Sequence, residues 1–333
     1  MLFDNLYQIF FGKKPDFEVK EIQASLNFWI FYFYFCFFTF QSPKFRVYKL
    51  EDFNPIKNTR KFRTIHNPNL TMRLIHRAFV RNVLRSKELI NELPVGLRFA
   101  TGGITGWSPL RNVEKHKNGR YFYLLDIHSF YNNIDGDRLL DILCMTTWEN
   151  RKKLSKFLKK YCFLKSGTGL KTGAPASVDL ANIFAAYLLD APLAEICEKN
   201  DLRFTRFLDD LAFSSLKPIG KRVRKKIRQV IIDAGLQISH KKSAVIDLAE
   251  KRQIIITGVG LKFRGETFLP RNYLRKINGA IHLYEKGLIP FEIIQGMMGA
   301  FFSVTRKRSP YAFRHKSESE VVLKFREMRK LHK

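Results

Sequence analysis

Two adjacent aspartates, Asp209 and Asp210, stand between two apolar runs of strand-forming residues. The stretch 203–214 therefore predicts a β-hairpin with the acidic pair at its turn. Two carboxylates this close repel each other unless a cation lies between them, and a magnesium ion would convert that repulsion into binding. The same residues also fit an ordinary Asp-Asp turn without chemistry.

A third carboxylate upstream favours the chemical interpretation. The apolar run 121–125 ends at Asp126, and Ile127-His128-Ser129-Phe130-Tyr131 follows. An aspartate at the end of one strand and an aspartate pair on a hairpin can converge on a site for two metal ions. Such a site activates a 3′-hydroxyl and stabilises the leaving pyrophosphate in phosphoryl transfer.

The charge of the chain predicts a polyanionic partner. Its 333 residues contain 59 Lys and Arg against 30 Asp and Glu, a formal net charge of +29. This charge is spread along the chain rather than confined to a tail, which favours nucleic acid over a merely basic protein. With 31 Phe and 12 Tyr, the chain can also supply stacking surfaces for bases. The length allows one large core or two to three subdomains.

Cysteine usage and the start of the chain predict a cytoplasmic protein. Cys36, Cys144, Cys162 and Cys197 show no CxxC spacing, so they are interpreted as reduced, buried thiols rather than a zinc site or a disulfide framework. The first residues lack the basic and apolar regions of a signal peptide.

Residues 28–38 are almost entirely aromatic, and residues 1–25 show apolar residues at helical spacing. The aromatic run is shorter than the roughly 18–20 apolar residues that a spanning helix needs, so no stable membrane span is expected. It predicts a buried packing element, with a protein–protein or membrane-surface contact as the alternatives.

Four further segments carry candidate residues. Residues 61–68 alternate charged and apolar side chains as a half-exposed strand does, and Lys61 and Arg63 on one face could hold a triphosphate or simply be solvated. Residues 101–106 predict a flexible loop. Ser108-Pro109 predicts a helix start, with Asn112 and His116 one turn apart and His116 structural by default. Residues 167–175 form a Gly-rich loop without Walker spacing.

Taken together, these residues resemble a bacterial reverse transcriptase over about residues 60–310. Leu125-Asp126 with Phe130-Tyr131 resembles the first catalytic motif, and residues 169–175 with Ala181-Asn182 resemble the template-and-nucleotide motif. Phe207-Leu208-Asp209-Asp210 stands where the family carries YxDD. Gly235-Leu236 with Lys241-Lys242-Ser243 resembles the next motif, which holds a lysine.

Within this family the retron type is the most similar. Asn112-Val113-Glu114-Lys115-His116 is similar to the retron NAxxH signature, and Ile256-Thr257-Gly258 is similar to its VTG signature. The chain departs from the family where Phe207 replaces Tyr, Leu208 replaces Ala and Lys171 replaces Pro.

The resemblance implies an α+β fold of the right-hand polymerase type, with fingers, palm and thumb and an antiparallel palm sheet backed by helices. The implied domains are an N-terminal extension at 1–43, fingers at 44–120, palm at 121–265 with a fingers segment at about 138–170, and a basic helical thumb at 266–333.

The resemblance also implies roles for individual residues. Asp126 and Asp209, with the carbonyl of Ile127, would bind two Mg²⁺ ions, Asp210 would complete the acidic site, and Mn²⁺ would be a possible substitute. Lys242 would protonate the pyrophosphate, and Tyr131 would exclude a ribose 2′-hydroxyl. Substrate-binding roles fall to Lys61, Arg63, Tyr131, Thr172, Gly173 and Lys242, and RNA-binding roles to Asn112, His116, Arg271, Arg275 and Lys276.

The implied function is RNA-directed DNA polymerisation of the retron type. The enzyme would use dNTPs to copy part of a cognate structured non-coding RNA into single-stranded multicopy DNA, in anti-phage defence. A separately encoded effector protein would be a partner. The alternatives are another defence-associated or unclassified bacterial reverse transcriptase, and a catalytically silent RNA-binding protein on the same scaffold.

Overall fold

The structure is a computed structural model, and it describes residues 19–39, 43–54, 59–145, 150–164, 167–305 and 316–331. The first eighteen residues of the predicted amphipathic start lie outside this description. By contact the chain divides into two compact units. The first comprises Met1–Arg98, Ser129–Ala191 and Ile231–Gln237, and the second comprises Phe99–His128, Pro192–Val230 and Ile238–Lys333.

Helices and antiparallel strands alternate along the described residues, as expected for an α+β protein. The helices are α1 (Val19–Thr39), α2 (Leu70–Phe79), α3 (Lys87–Glu92), α4 (Pro109–Glu114), α5 (Gly136–Leu143), α6 (Arg151–Phe157), α7 (Ser177–Ala185), α8 (Ala191–Lys199), α9 (Lys221–Asp233), α10 (Leu248–Lys251), α11 (Arg271–Glu285), α12 (Phe291–Thr305) and α13 (Lys316–Leu331). The strands are β1 (Phe45–Asn54), β2 (Thr59–Pro68), β3 (Tyr121–His128), β4 (Arg203–Phe207), β5 (Asp210–Ser215), β6 (Gln237–Ile238), β7 (Ala244–Asp247), β8 (Gln253–Ile256), β9 (Val259–Lys262) and β10 (Thr267–Phe268).

The first unit contains a two-stranded hairpin and a layer of helices. Strands β1 and β2 pair antiparallel from Phe45 opposite Pro68 to Asn54 opposite Thr59. One-turn π-helical segments extend α2, α6 and α7, at Val80–Leu84, Leu158–Cys162 and Ala186–Asp190. The sequence analysis did not predict these wider turns.

The second unit is built on a sheet in the order β4-β5-β3-β6, in which β7 also pairs with β3. The pairs β3–β5, β4–β5 and β3–β7 are antiparallel. A smaller antiparallel sheet has the order β10-β9-β8. The hydrophobic core joins Phe122 of β3 to Ile254 and Leu261 of the small sheet and to buried residues of α11, α12 and α13. This core holds β3 rigidly.

The aromatic run folds as part of α1, and it is only half buried. Phe28 and Phe31 are fully buried, as a packing element requires, whereas Phe33 is 71% exposed and Phe37 is 59% exposed. Among the described residues one helical stretch, Ser177–Lys199, has the length and apolar composition to cross a membrane, but most of it is buried within the protein. Core helices of soluble proteins share that composition, so it does not indicate a span.

Candidate active site

The acidic turn, by which we mean residues 207–210, joins β4 to β5. Phe207 pairs with Asp210 across the hairpin, so Leu208 and Asp209 alone form the loop. Leu208 has a left-handed backbone with φ of 57°, which costs about 1–2 kcal/mol for a residue with a side chain. The surrounding structure must therefore hold this turn.

The third aspartate lies directly beside the turn. Asp126 of β3 is the antiparallel partner of Asp210 of β5, so the two side chains are on the same face of the sheet. The N–H of Ile127 donates to the carbonyl of Asp209 at 2.9 Å, which ties the end of β3 to the loop. Burial and the negative charges of Asp209 and Asp126 raise the pKa of Asp210 to about 6. The three carboxylates are thus close enough to repel one another.

Lys242 supplies a positive charge to this acidic group. Its Nζ is 2.5 Å from Oδ2 of Asp126, and the lysine side chain is 60% exposed whereas the carboxylate is 8% exposed. The hydrogen bond to Asp126 is the main reason why the pKa of Lys242 is raised. The N–H of Ser239 donates to the carbonyl of Asp126 at 2.8 Å, which fixes the short 3₁₀ helix His240–Lys242 beside β3.

The acidic group fits a divalent metal ion by donor chemistry. Carboxylate oxygens are the ligands that Mg²⁺ and Mn²⁺ prefer, and the repulsion that raises the pKa of Asp210 would be relieved by a cation. Within the described residues, no three His, Cys, Asp or Glu side chains already surround one point. The Lys242 ammonium contacts one of the carboxylates instead, so metal binding requires this exposed side chain to move.

A buried arginine supports the acidic turn, and the sequence-based predictions missed it. Arg206 has no exposed surface, and its Nη1 donates to the carbonyl of Leu208 at 3.4 Å. The carbonyl of Arg206 accepts hydrogen bonds from the N–H of Thr101 at 2.7 Å and from its hydroxyl at 3.0 Å. An arginine inside an apolar strand rarely stays unpaired, and that signal could have identified it.

Gly102 packs against the same turn. A Cβ built on Gly102 would lie 2.9 Å from both the backbone nitrogen and Cγ of Leu208. Any larger residue would therefore push the turn out of place. Residues 101–106 were predicted as a flexible loop, but Thr101 and Gly102 are fixed against β4 and the turn.

Asn112 and His116, predicted to bind RNA, lie in the interior of the second unit. Asn112 is 1% exposed and donates from Nδ2 to the hydroxyl of Thr257 at 3.2 Å. His116 is fully buried, and its ring nitrogens lie 2.7 Å from the hydroxyls of Ser214 and Thr205. The structure does not present these residues to RNA, so this prediction is corrected. They instead join α4 to the sheet and to the turn after β8.

The two retron-like signatures therefore meet, because Asn112 belongs to one and Thr257 to the other. Thr257 has a left-handed backbone with φ of 48°, and Gly258 follows with φ of 83°. The hydrogen bond from Asn112 ties α4 to this strained turn. Burial, with a smaller effect from the charge of Arg203, lowers the pKa of His116 to about 3, so the imidazole of His116 is neutral.

The predicted nucleotide-binding residues of the first unit surround its Gly-rich loop. The carbonyl of Tyr131 accepts from the N–H of Leu170 at 2.8 Å, and the carbonyl of Thr172 accepts from the N–H of His66 at 2.7 Å. Gly173 has φ of 94°, and a Cβ there would be 3.0 Å from Ile65. Lys61 and Arg63 lie two positions apart on β2, and Arg63 is exposed.

The remaining predicted RNA-binding residues lie on one helix of the second unit. Arg271, Arg275 and Lys276 are exposed on α11. The opposite side of α11 packs into the core through Ile277 and Ile281. The helix therefore presents its cations to solvent, where a phosphate backbone could reach them.

Reverse transcriptases are among the known proteins to which this chain is similar. The family model for reverse transcriptases (RNA-dependent DNA polymerases) matches residues 55–261. A retron reverse transcriptase of Escherichia coli is 23% identical over 271 residues, covering 78% of this chain and 83% of the relative. Another from Myxococcus xanthus is 23% identical over 254 residues, covering 68% of this chain and 50% of the relative. The chain thus spans half the length of the second relative.

A solved structure supports the fold assignment. A telomerase from Candida albicans, determined in complex with a fragment of telomeric RNA, superposes with a TM-score of 0.50 at 10% sequence identity. The match covers 85% of this chain and 57% of the telomerase chain. At this identity the likeness concerns the fold alone, and it confirms the predicted α+β polymerase fold.

Proposed function

This chain belongs to the reverse transcriptase family of RNA-dependent DNA polymerases, and we propose that it is a retron enzyme copying part of a structured non-coding RNA into single-stranded DNA. The observation that carries the proposal is the placement of Asp126 directly opposite Asp210, with Lys242 in contact. A module that only binds RNA has no need for carboxylates gathered where a polyanion would lie.

The chemistry follows from the acidic group. Asp126 and Asp209, with the carbonyl of Ile127, would hold two Mg²⁺ ions, and Asp210 would complete the site. Bound magnesium would lower the pKa of the primer hydroxyl and neutralise charge on the triphosphate. Lys242 would leave Asp126 if a cation bound there, and its ammonium would then be free to protonate the departing pyrophosphate.

Substrate selection is assigned to the first unit. Tyr131 blocks the 2′-hydroxyl of a ribonucleotide, and Thr172 and Gly173 contact the incoming dNTP or the template. Lys61 and Arg63 neutralise the triphosphate. The close packing of Gly173 on Ile65 supports this assignment, because it holds the Gly-rich loop against β2.

The RNA partner is assigned to the basic helices at the end of the chain. The exposed cations of α11 suit a structured RNA stem recognised through shape and phosphates. DNA synthesis would begin at a 2′-hydroxyl of a guanosine in that RNA, leaving a branched RNA–DNA molecule in the cytoplasm. We assign the system to anti-phage defence with a separate effector protein.

Sequencing the nucleic acid that co-purifies with the protein tests this function. The retron proposal predicts a branched RNA–DNA species of fixed sequence, which is absent from a preparation of Asp209→Asn. Random or untemplated DNA would instead indicate another type of bacterial reverse transcriptase. RNA without DNA in both preparations would indicate a binding protein.

A further inference from the structure

The outward face of α1 is an exposed aromatic stripe, the name we give to Ile30, Phe33, Tyr34 and Phe37. These side chains are 39%, 71%, 46% and 59% exposed. Their spacing of three, four and seven residues places them in one row along the helix. The polymerase chemistry makes no use of this row.

The opposite face of the same helix is firmly docked on the first unit. The ring of Phe31 lies 4.9 Å from those of Phe79 and Phe157, and the ring of Phe35 lies 5.6 Å from that of Tyr161. The stripe is therefore not exposed because α1 is undocked. It is the second apolar face of a helix whose first face is already buried.

Nothing charged interrupts the stripe. Residues 22–43 contain no Asp, Glu, Lys or Arg. Exposed helix faces normally carry charges, and a contiguous exposed apolar patch marks an interaction surface. The surface that covers this stripe must therefore be apolar.

Positive charge borders the stripe on one side. Nζ of Lys153 lies 3.6 Å from the ring centre of Trp29 on α1. Lys156 and Lys160 follow at the third and seventh positions, are exposed, and share that side of their helix. We call Lys153, Lys156 and Lys160 the lysine row.

Two of the helical segments that pack against α1 are wholly basic, whereas α3 adds Glu88, which accepts a hydrogen bond from Asn27 of α1. Residues 70–85 and 151–162 together contain ten Lys and Arg and no Asp or Glu. Two of the arginines are paired, Arg85 with Asp179 and Arg151 with Asp141, both at 2.6 Å. The partner of this surface must therefore be anionic as well as apolar.

We propose that the aromatic stripe and the lysine row bind the surface of an anionic lipid bilayer. A bilayer offers acyl chains for the rings and phosphates for the lysines at the depth that an interfacial helix occupies. A second copy of this face would bring like charges together. Nucleic acid would stack on separate ring faces, whereas the rings of Phe33 and Tyr34 pack edge to face on each other and Ile30 has no ring.

The apolar part of α1, Leu26–Thr39, is too short to span a bilayer and long enough to lie along it. Its inward face remains on the protein. The stripe therefore holds the polymerase at the membrane surface rather than inserting it.

Vesicle flotation of the full-length protein tests the proposal. Vesicles of phosphatidylcholine alone are compared with vesicles that also contain phosphatidylglycerol. We expect flotation with the anionic vesicles, a loss of about tenfold or more in the double variant Phe33→Ser/Phe37→Ser, and a similar loss in Lys156→Gln/Lys160→Gln. The matched controls are Leu288→Ser, exposed by 66% in the second unit, and Lys225→Gln/Lys226→Gln on α9, which should float like the wild type.

A labelling experiment covers the case in which the serine variants fold poorly. Cys36 on α1 is exposed whereas Cys144, Cys162 and Cys197 are buried, so a polarity-sensitive thiol dye reports on α1. We expect its emission to shift to the blue with anionic vesicles and to stay unchanged with RNA. Absence of flotation, flotation equal in all variants, a blue shift caused by RNA, or a dimer that depends on Phe33 and Phe37 would each overturn the proposal.

Discussion

The acidic turn of the second unit and the aromatic stripe of the first are built in opposite ways. At the turn, individual contacts fix the backbone and one carboxylate. Asp126 contacts Lys242, the carbonyl of Leu208 accepts a hydrogen bond from Arg206, and Gly102 packs closely against Leu208. Along the stripe, rings that are 46–71% exposed lie on a docked helix that carries no charge from residue 22 onward. The conformation of the turn depends on contacts between individual atoms, whereas the stripe depends only on apolar residues at helical spacing.

This difference predicts which single substitutions should change the activity of the enzyme. Chemistry at the turn depends on positions accurate to fractions of an ångström, so a small change there should alter turnover. A surface that binds through a large contact area tolerates single substitutions. A single substitution in the aromatic stripe should therefore not alter primer extension.

Among substitutions that leave the three aspartates in place, Lys242→Gln should have the largest effect. We expect turnover to fall about a hundredfold, because the substitution would remove the proposed proton donor to pyrophosphate. The Mg²⁺ concentration for half-maximal activity should fall at the same time, since the ammonium no longer competes for Asp126. Steady-state primer extension over a magnesium titration measures both quantities.

The neighbouring Lys241→Gln and the stripe-side Lys156→Gln serve as controls, since both lysines are exposed. Neither should change turnover or the magnesium requirement. A variant of Lys242 with normal turnover would remove the assigned proton donor and weaken the contrast between the two regions.

Gly102→Ala should reduce turnover about thirtyfold, because a single methyl group would clash with Leu208 and displace the acidic turn. Gly220→Ala is the matched control, since nothing lies within 4 Å of its added Cβ. Single-turnover kinetics measure the effect. If deleting the ring of Phe33 harmed turnover more than adding this methyl group, the comparison would be reversed.

Tyr131→Ala should relax sugar discrimination about tenfold without a large loss of dNTP incorporation. The ring that we propose to exclude the 2′-hydroxyl would be gone, while the backbone hydrogen bond to Leu170 would stay. The ratio of kcat/KM for a dNTP and the matching rNTP measures it, with the exposed Tyr187→Ala as control. An unchanged ratio would show that Tyr131 only packs.

Buried histidines should make the two units alike in one respect, their sensitivity to acid. Burial lowers the pKa of His116 to about 3 and that of His76 to about 4. Both stay neutral in the folded protein, so below about pH 6.5 only the unfolded chain takes up the proton and stability falls. Each should cost about 2 kcal/mol at pH 5 relative to pH 8.

Urea unfolding at the two pH values measures this loss. His116→Gln and His76→Gln should each flatten the pH dependence, whereas the exposed His282→Gln should leave it unchanged. An equal slope in all four proteins would contradict the assignment.

The acidic turn was predictable because its chemistry is local. An Asp-Asp pair between strand-forming residues predicts a hairpin, and the structure has that hairpin with Phe207 opposite Asp210. The helix start at Ser108-Pro109 was equally predictable, since Ser108 caps α4 and Pro109 begins it. The roles of the individual site residues stay predictions.

Contacts between distant segments were not predictable from local pattern. Asn112 meets Thr257 and Thr101 meets Arg206, in each case across more than a hundred residues. Asn112 and His116 were assigned to RNA through the similarity to the retron NAxxH signature, and a short motif does not show which residues its side chains contact. The sequence did not predict that the aromatic run is half exposed, because composition does not show which face of a helix is covered.

Primer extension on an RNA template with Mg²⁺, comparing the wild type with Asp209→Asn, tests the central claim most directly. We predict that the wild type incorporates dNTPs and that Asp209→Asn loses at least about a thousandfold in rate, while Asp201→Asn, an exposed aspartate outside the site, extends normally. Equal extension by the wild type and Asp209→Asn would contradict a polymerase centred on these carboxylates.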